Sequence, residues 1–371
     1  MRRQRHVLNV LAWSIIGASC AGPAAADDIV LSIEGASKAA LTLSWSGGTP
    51  NYRILRGGDP ATAANVENLR GVTGDLSWTE SPIRPAPGQG FYYLVQETEL
   101  EAGGFPEQWI NGVSCPAEPS IQVHAYNPDL YILRQSLCTS FEGPFMYLLF
   151  GEDKVLMQDT GDGGIPIAAT VYGIIDQWLF DRGRSSIELI VSHSHSHGDH
   201  VQGDGQFQGQ PDTTVVGLSP AAVAAFFGIT NWPDQVVQYD LGGGRIVDVF
   251  GIPGHQAAHI ALYDRRTGLL FTGDSLYPGR LYIIDSFPAY HASIQRIVDF
   301  ITDKPVVNVL GTHIEMTNTP FEDFPFGSTQ HPDEHELPLG REHVLELLQG
   351  VADMADDPFV EAHADFIIFP F

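Results

Sequence analysis

Residues 187–200 read Ile187-Glu188-Leu189-Ile190-Val191-Ser192-His193-Ser194-His195-Ser196-His197-Gly198-Asp199-His200. A short apolar run of the kind that forms a buried strand passes straight into four histidines and one aspartate. Polar side chains this dense beside a buried strand are costly to enclose unless they are paired or bind metal. Imidazole nitrogen together with carboxylate oxygen suits Zn²⁺, Fe or Mn. In extended chain His195 and His197 project to the same side, so both can grip one ion. Asp199 and His200 follow a glycine, where the chain can turn and face a second ion. The competing reading of the stretch alone is a solvated, histidine-rich loop.

Three further stretches repeat the arrangement. Ile252-Pro253-Gly254-His255, Phe271-Thr272-Gly273-Asp274 and Leu310-Gly311-Thr312-His313 each place a metal-type side chain just beyond an apolar strand. Taken singly, each is an ordinary loop histidine or helix-capping aspartate. Taken together, they can converge on one edge of a layered sheet.

The surrounding pattern supplies that sheet. Leu130–Arg134, Phe145–Phe150 and Lys154–Gln158 read as consecutive strands. Pro166 opens a helix on which Ile167, Val171, Ile174, Ile175, Trp178 and Leu179 recur at helical spacing, with Gly183 past its end. Thr213–Gly217, Ile246–Ile252, Ile260–Tyr263, Leu269–Thr272 and Val306–Leu310 read as strands, and Pro220–Phe227 as a helix. Ile294, Ile297, Val298 and Ile301 mark another helix, and Val344, Leu347, Leu348 and Val351 one more. Strands alternating with amphipathic helices predict an α/β layered domain over residues 120–371.

These motifs in this order, His195-x-His197-x-Asp199-His200, Pro253-Gly254-His255, Gly273-Asp274 and Gly311-Thr312-His313, resemble the metallo-β-lactamase fold superfamily. The resemblance implies a four-layer αββα sandwich and a site for two divalent ions, zinc first, with iron or manganese as the other choices. It implies that His195, His197 and His255 bind one ion, that Asp199, His200 and His313 bind the other, and that Asp274 bridges them. Asp159-Thr160-Gly161 looks like an early structural element of the family. His193 falls outside the motif as a neighbour, and His259 supports the ligands from behind. Asp274 stands in a Gly-Asp-Ser-Leu context that looks more like the glyoxalase II, lactonase and phosphodiesterase branches than the β-lactamases with a cysteine near that motif.

Such a site implies a hydrolase. A water bridging the ions is acidified to hydroxide and attacks an ester, lactone, thioester, amide or phosphodiester, with Asp199 orienting it as the catalytic carboxylate. Arg280 and Tyr282 follow Asp274 closely enough to contact a substrate carboxylate or phosphate; the competing reading is a surface arginine with a half-buried tyrosine. Gln330–Glu336 reads as a solvated acidic loop. The alternatives are an iron-dependent oxidoreductase on the same fold and a catalytically inactive binding protein.

Residues 27–97 follow another rhythm. Leu41-Thr42-Leu43-Ser44-Trp45, Tyr52–Arg56 and Tyr92–Val95 are short strands separated by Gly, Pro and Asp, the pattern of a small antiparallel sandwich. The placement of Trp45, Tyr52 and Tyr93 resembles a fibronectin type III domain. Residues 98–119, with Gly103-Gly104, Pro106, Gly112 and Pro116, read as a linker.

Arg2, Arg3 and Arg5, an apolar stretch from Val7 to Gly22 and the small residues Ala24–Ala26 predict a signal peptide over 1–26. The protein is therefore expected in the periplasm or outside the cell, with no integral membrane segment once the signal is cleaved. Cys20 lies in that segment. Cys115 and Cys138 are left either to form a disulfide, which an oxidising compartment permits, or to stay separate buried thiols. The chain has 371 residues and a formal charge of −26, with 43% hydrophobic residues. That is enough apolar material for a core, and its acidity argues against nucleic acid as a partner and leaves a small-molecule substrate.

Overall fold

The computed structural model describes residues 7–10, 30–36, 41–46, 50–58, 62–80 and 91–371. For 7–10, 30–36, Glu80 and Glu97 the backbone alone is described. Of the stretch read as a signal peptide only Val7–Val10 is included; the remainder, with the Ala24–Ala26 site, lies outside the described residues. The chain divides into two units. One comprises Met1–Gly103 with Arg266–Gly268 and Thr302–Val307, the other Gly104–Arg265, Leu269–Ile301 and Asn308–Phe371.

Among the described residues the first unit is all-β apart from one short 3₁₀ turn. Its strands are β1 (Val7–Val10), β2 (Val30–Ala36), β3 (Leu41–Ser46), β4 (Tyr52–Gly57), β5 (Leu69–Thr73), β6 (Ser77–Glu80) and β7 (Phe91–Glu97). They form two antiparallel sheets, ordered β1-β7-β4-β5 and β2-β3-β6. The alternation along β3 buries Leu41, Leu43 and Trp45 and leaves Thr42 and Ser44 partly open, as a sheet with one packed face requires. Tyr52, Ile54, Tyr93 and Val95 complete this core, and the Trp45 ring meets Tyr52 edge-on at 5.4 Å.

The second unit begins with a six-stranded sheet of β8 (Ile121–Asn127), β9 (Leu130–Gln135), β10 (Phe145–Phe150), β11 (Lys154–Gln158), β12 (Glu188–Ser192) and β13 (Thr213–Val215). β8 to β11 are antiparallel neighbours, whereas β11, β12 and β13 run parallel. The β11–β12 crossover is helix α1 (Ile167–Asp181), whose Ile167, Val171, Ile175, Trp178 and Leu179 pack with Leu148, Phe150, Val155 and Met157. The helical spacing read from the sequence thus becomes one buried stripe, each fully buried large aliphatic side chain contributing about 1.5–3 kcal/mol. Short helices α2 (Gly198–Val201) and α3 (Pro220–Phe227) follow β12 and β13. Ser219 caps α3, its hydroxyl accepting from the Ala222 amide at 3.2 Å.

A five-stranded sheet follows. β14 (Val237–Asp240), β15 (Ile246–Gly251), β16 (Ile260–Asp264) and β17 (Leu269–Gly273) are antiparallel neighbours. The chain then leaves through β18 (Arg280–Ile283) and helix α4 (Phe287–Ile301), and returns in β19 (Asn308–Gly311), parallel to β17. Helix α5 (Arg341–Asp353) packs against α4. β20 (Glu361–Ala362) and β21 (Ile367–Pro370) close a small third sheet with β18. Phe300 of α4 lies on the second sheet, 4.6 Å from the Phe250 ring and 5.5 Å from Tyr263. Tyr147 of β10 meets Phe271 of β17 at 4.8 Å, so the two large sheets face each other between helix layers. Buried Arg245 ties them: its Nε and Nη2 donate to Asp264 at 3.2 and 2.6 Å, and its Nη1 donates to the Phe150 carbonyl at 3.0 Å. A buried guanidinium is tolerated only when its donors are spent in this way. Among the described residues no helix is long and apolar enough to cross a membrane.

Residues 104–119 differ from the linker expected there. They pack within the second unit, with Trp109 buried edge-on against Phe145 at 5.0 Å. Cys115 and Cys138 form a disulfide that fastens this segment to the β9–β10 loop. Strands β8, β14, β18, β20 and β21 add to those expected, and α4 starts before the apolar periodicity that marks it.

Candidate metal centre

β11 and β12 run parallel, as do β17 and β19, and β15 shares their direction within its sheet. The residues following these strands, Asp159, His193–His200, His255, Asp274 and His313, therefore leave at corresponding ends. Two backbone close approaches make this possible. At Gly254 φ is 138°, and a Cβ would lie 2.3 Å from the Tyr290 Cα. At Gly273 φ is 51°, and a Cβ would lie 2.4 Å from His259 Nε2. Only glycine fits either place.

The seven His and Asp positions singled out in the sequence meet as two groups, His195, His197 and His255, and Asp199, His200, Asp274 and His313. In the first, His195 Nε2 lies 3.0 Å from His197 Nδ1 and 3.1 Å from His255 Nε2, and the last two atoms are 2.9 Å apart. Three nitrogens on a nearly equilateral triangle match one face of a tetrahedron around a zinc-sized ion, whose edges are about 3.3 Å at zinc–nitrogen distances of about 2.0–2.1 Å. In the second, Asp199 Oδ2 lies 2.9 Å from His200 Nε2 and 3.2 Å from His313 Nε2. Asp274 spans the two groups. Its Oδ2 is 3.4 Å from His255 Nε2 and 3.7 Å from His195 Nε2, and its Oδ1 is 3.6 Å from His200 Nε2 and 3.4 Å from His313 Nε2. The Thr312 hydroxyl donates to that Oδ1.

The far nitrogens of three histidines are already spoken for. His200 Nδ1 bonds Asp159 at 3.0 Å, His313 Nδ1 the Glu142 carbonyl at 2.8 Å, and His255 Nδ1 the Tyr282 carbonyl at 2.5 Å. Each partner can only accept, so each Nδ1 carries a proton and each ring turns Nε2 inward, as a lone pair whenever the ring is neutral. Those lone pairs face carboxylate oxygens or other ring nitrogens, and buried His200 Nε2 makes no hydrogen bond. Lone pairs collected in this way call for a cation between them, so the residues present fit divalent metal.

Electrostatics divides the groups. Burial pushes His195 and His255 below the ordinary imidazole value, neighbouring imidazoles adding to it and Asp274 opposing it. Burial acts the same way on His200 and His313, but the surrounding carboxylates, Asp199 and Asp274 in both cases, outweigh it and hold both well above. Asp199 and Asp274 lie far below the usual carboxylate range: burial would raise them, and His200 and His313 overcome it.

Behind the groups, Asp159 accepts from the Ser194 amide at 2.6 Å and its hydroxyl at 2.8 Å, as well as from His200. His193 Nε2 pairs with Asp204 at 2.8 Å and joins neither group. The Thr160 hydroxyl also bonds Asp204, at 2.9 Å. His259 is buried against the His195 ring, centroids 4.8 Å apart, with Nδ1 3.4 Å from the Ser275 hydroxyl. Arg280 does not reach outward as the sequence suggests. Its Nε donates to Tyr282 Oη at 2.8 Å, its Nη2 to Glu315 at 2.7 Å, and its Nη1 to Asp323 and the Phe324 carbonyl, the last at 2.7 Å. Arg280 therefore clamps the 315–324 segment, and Tyr282 serves the site through its carbonyl. The Gln330–Glu336 loop is also anchored rather than wholly solvated. Glu334 pairs with buried Arg134 at 2.5 Å, and His331 stacks on Phe324 at 4.1 Å. The carbonyls of Glu142 and Tyr282, and Asp204, carry no motif that sequence reading could use; Thr312 lies within one.

The sequence pattern of the Metallo-beta-lactamase superfamily matches residues 140–313. A hydroxyacylglutathione hydrolase of Chromohalobacter salexigens is 32% identical over 144 residues, 38% of this chain and 50% of that protein. One of Aeromonas hydrophila is 31% identical over 163 residues, 43% of this chain and 57% of that protein. The chain thus spans about half the length of these relatives. A solved metallo-beta-lactamase from Pontibacter korlensis aligns with a TM-score of 0.44 and 17% identity, covering 63% of this chain and 99% of that one. With its two facing sheets, its helix layers and its His/Asp groups at the strand ends, this chain carries a domain of the metallo-β-lactamase superfamily.

Proposed function

We propose that the protein is a secreted binuclear metallohydrolase. The observation that carries this reading is the pair of His/Asp groups that share Asp274, each offering inward lone pairs. His195, His197 and His255 would hold one ion, Asp199, His200 and His313 the other, with Asp274 on both. Two divalent ions, zinc first by donor set, would supply an acidified water and a polarised scissile bond. The chain's own residues do the rest. Asp159 and the Glu142 and Tyr282 carbonyls fix the tautomers and aim the rings. Asp199, whose side chain is 18% exposed against 8% for Asp274, is the carboxylate open to an entering water and orients it. Water adds across the bond, and for an ester the products are a carboxylic acid and an alcohol.

The candidate bonds are ester, lactone, thioester, amide and phosphodiester, and the relatives' name, hydroxyacylglutathione hydrolase, favours acyl transfer to water. Export is supported by the basic, apolar and small-residue succession of residues 1–26 and by the Cys115–Cys138 disulfide. The β-rich first unit is read as an accessory module of fibronectin type III kind, which leaves all seven ligand positions in the second unit. The test is hydrolysis of an ester, thioester and phosphodiester panel by the full chain before and after chelation. Turnover should vanish on chelation and return with zinc. Turnover that persists in metal-free protein refutes the reading.

A further inference from the structure

Two aromatic groups with exposed members, Phe141 and Phe326 in one and Phe371 in the other, stand beside the residues that aim the metal centre. On one side the Phe141 and Phe326 rings meet at 5.4 Å while remaining 39% and 72% exposed. Phe141 adjoins Glu142, whose carbonyl holds His313. On the other side the carbonyl of Tyr282 holds His255, and its ring meets Phe369 at 5.2 Å and the 81% exposed Phe371 at 5.6 Å. The two histidines held by these carbonyls both lie 3.4 Å from Asp274, so the two aromatic groups flank the same centre. Apolar surface gathered around a reactive centre marks a place for an apolar ligand group.

Charge points the same way. The chain carries a formal charge of −26, a field that repels anions. Arg280, the arginine next to the centre, spends its donors on Glu315, Asp323, Tyr282 and Phe324. Arg134, behind the anchored loop, is buried and paired with Glu334. A substrate bearing carboxylates would find acids and aromatic rings at this mouth.

We propose that Phe141 and Phe326 on one side, and Tyr282 and Phe371 on the other, form an apolar rim that takes the acyl or aryl group of an uncharged carboxylic ester, open-chain or cyclic. This rests on the hydrolase reading and narrows it. It also separates the chain from a glutathione thioester, whose carboxylates the rim does not serve.

The test uses the zinc-loaded full chain with p-nitrophenyl acetate, p-nitrophenyl octanoate and a hydroxyacylglutathione thioester. Burying two added methylenes is worth about tenfold, so kcat/KM for octanoate should exceed that for acetate by about tenfold or more and should exceed that for the thioester. Phe326→Ala and Phe371→Ala alter exposed side chains, and each should lower the octanoate-to-acetate ratio by about threefold or more, chiefly through KM. Binding of 2-decanone, a neutral ketone that cannot be hydrolysed, should weaken in both variants by saturation-transfer NMR. Turnover with no chain-length preference, a ratio unchanged in both variants, or preference for the thioester overturns the rim alone. If none of the esters, the thioester and the phosphodiesters of the panel above is turned over, the hydrolase reading fails. The ketone then decides the rim, which is overturned if binding is absent or equal in wild type and variants.

Discussion

Replacing Asp159 by Asn should loosen one metal position and spare the other. Asp159 sits at φ 68°, a left-handed conformation that Asn also tolerates, so the backbone should keep its course. Its carboxylate accepts three hydrogen bonds, from the Ser194 amide at 2.6 Å, the Ser194 hydroxyl at 2.8 Å and His200 Nδ1 at 3.0 Å. An Asn carries one acceptor oxygen, so its NH₂ must face either Ser194 or the His200 N–H. With the oxygen kept on the Ser194 amide, the NH₂ faces His200, which loses the acceptor that fixes its tautomer and aims Nε2 at Asp199 and Asp274. Loss of an outer partner of this kind costs about 10–100-fold in metal affinity, or about 1.4–2.7 kcal/mol. The loss should fall mainly on the group containing His200, which bonds Asp159 directly, whereas His195 reaches it only through the Ser194 hydroxyl, 3.1 Å from its Nδ1, and His197 and His255 have no described hydrogen bond to it. Zinc titration against a chromophoric chelator resolves the two affinities. One weakened by this amount and one within about threefold of wild type is the expected outcome. Equal loss from both positions, or none, refutes the assignment of Asp159 to His200.

Three further outcomes follow from the same geometry. Asp199→Ala should abolish turnover more completely than it removes metal, because His200, His313 and Asp274 still contact one another around the second position; paired metal content and rate measurements decide this. His193→Ala breaks the bond to Asp204, so urea denaturation should show a loss of about 1–3 kcal/mol while metal content and turnover stay substantial. Elsewhere in the unit, Asp365 joins His335 at 3.0 Å and His343 at 3.1 Å. Hydrogen bonds from these two rings hold Asp365 well below its usual range, and Asp365 raises His343 against the effect of burial. The Asp365 contribution is complete above an unfolded value of about 3.9 and is lost as pH falls through the folded one. The His343 contribution is complete below about 6.5 and is lost as pH rises through its raised folded value. The melting-temperature gap between wild type and His343→Gln should therefore be widest between about pH 4 and 6.5 and narrow above it.

The candidate centre was legible because each of its residues follows an apolar strand, and parallel strands deliver their ends together. The order of motifs then distinguishes His195 and His197 from His193, which the structure places on Asp204 instead. What resisted reading was pairing over long separations. Arg280-Leu281-Tyr282-Ile283 shows a chemistry-bearing arginine, but its strand partner begins at Ile367 and its ionic partners are Glu315 and Asp323. Nothing local distinguishes a substrate arginine from a buried clamp. Strand β8 alternates only weakly, because Val123 and His124 are both left partly or fully open. Residues 104–119 look like a linker by their glycines and prolines, yet Trp109 and the Cys115–Cys138 bridge fasten them down. The carbonyls that aim His313 and His255 are backbone groups, which carry no residue signature at all.

The central claim is that Asp274 belongs to two metal positions at once. Metal content per chain, measured by plasma mass spectrometry on full-length protein loaded with zinc and freed of excess by gel filtration, tests it most directly. The two His/Asp groups predict close to two ions per chain, falling in Asp274→Ala with affinity lost at both positions. One ion per chain under metal-replete conditions, or two ions held by Asp274→Ala as tightly as by wild type, would contradict it.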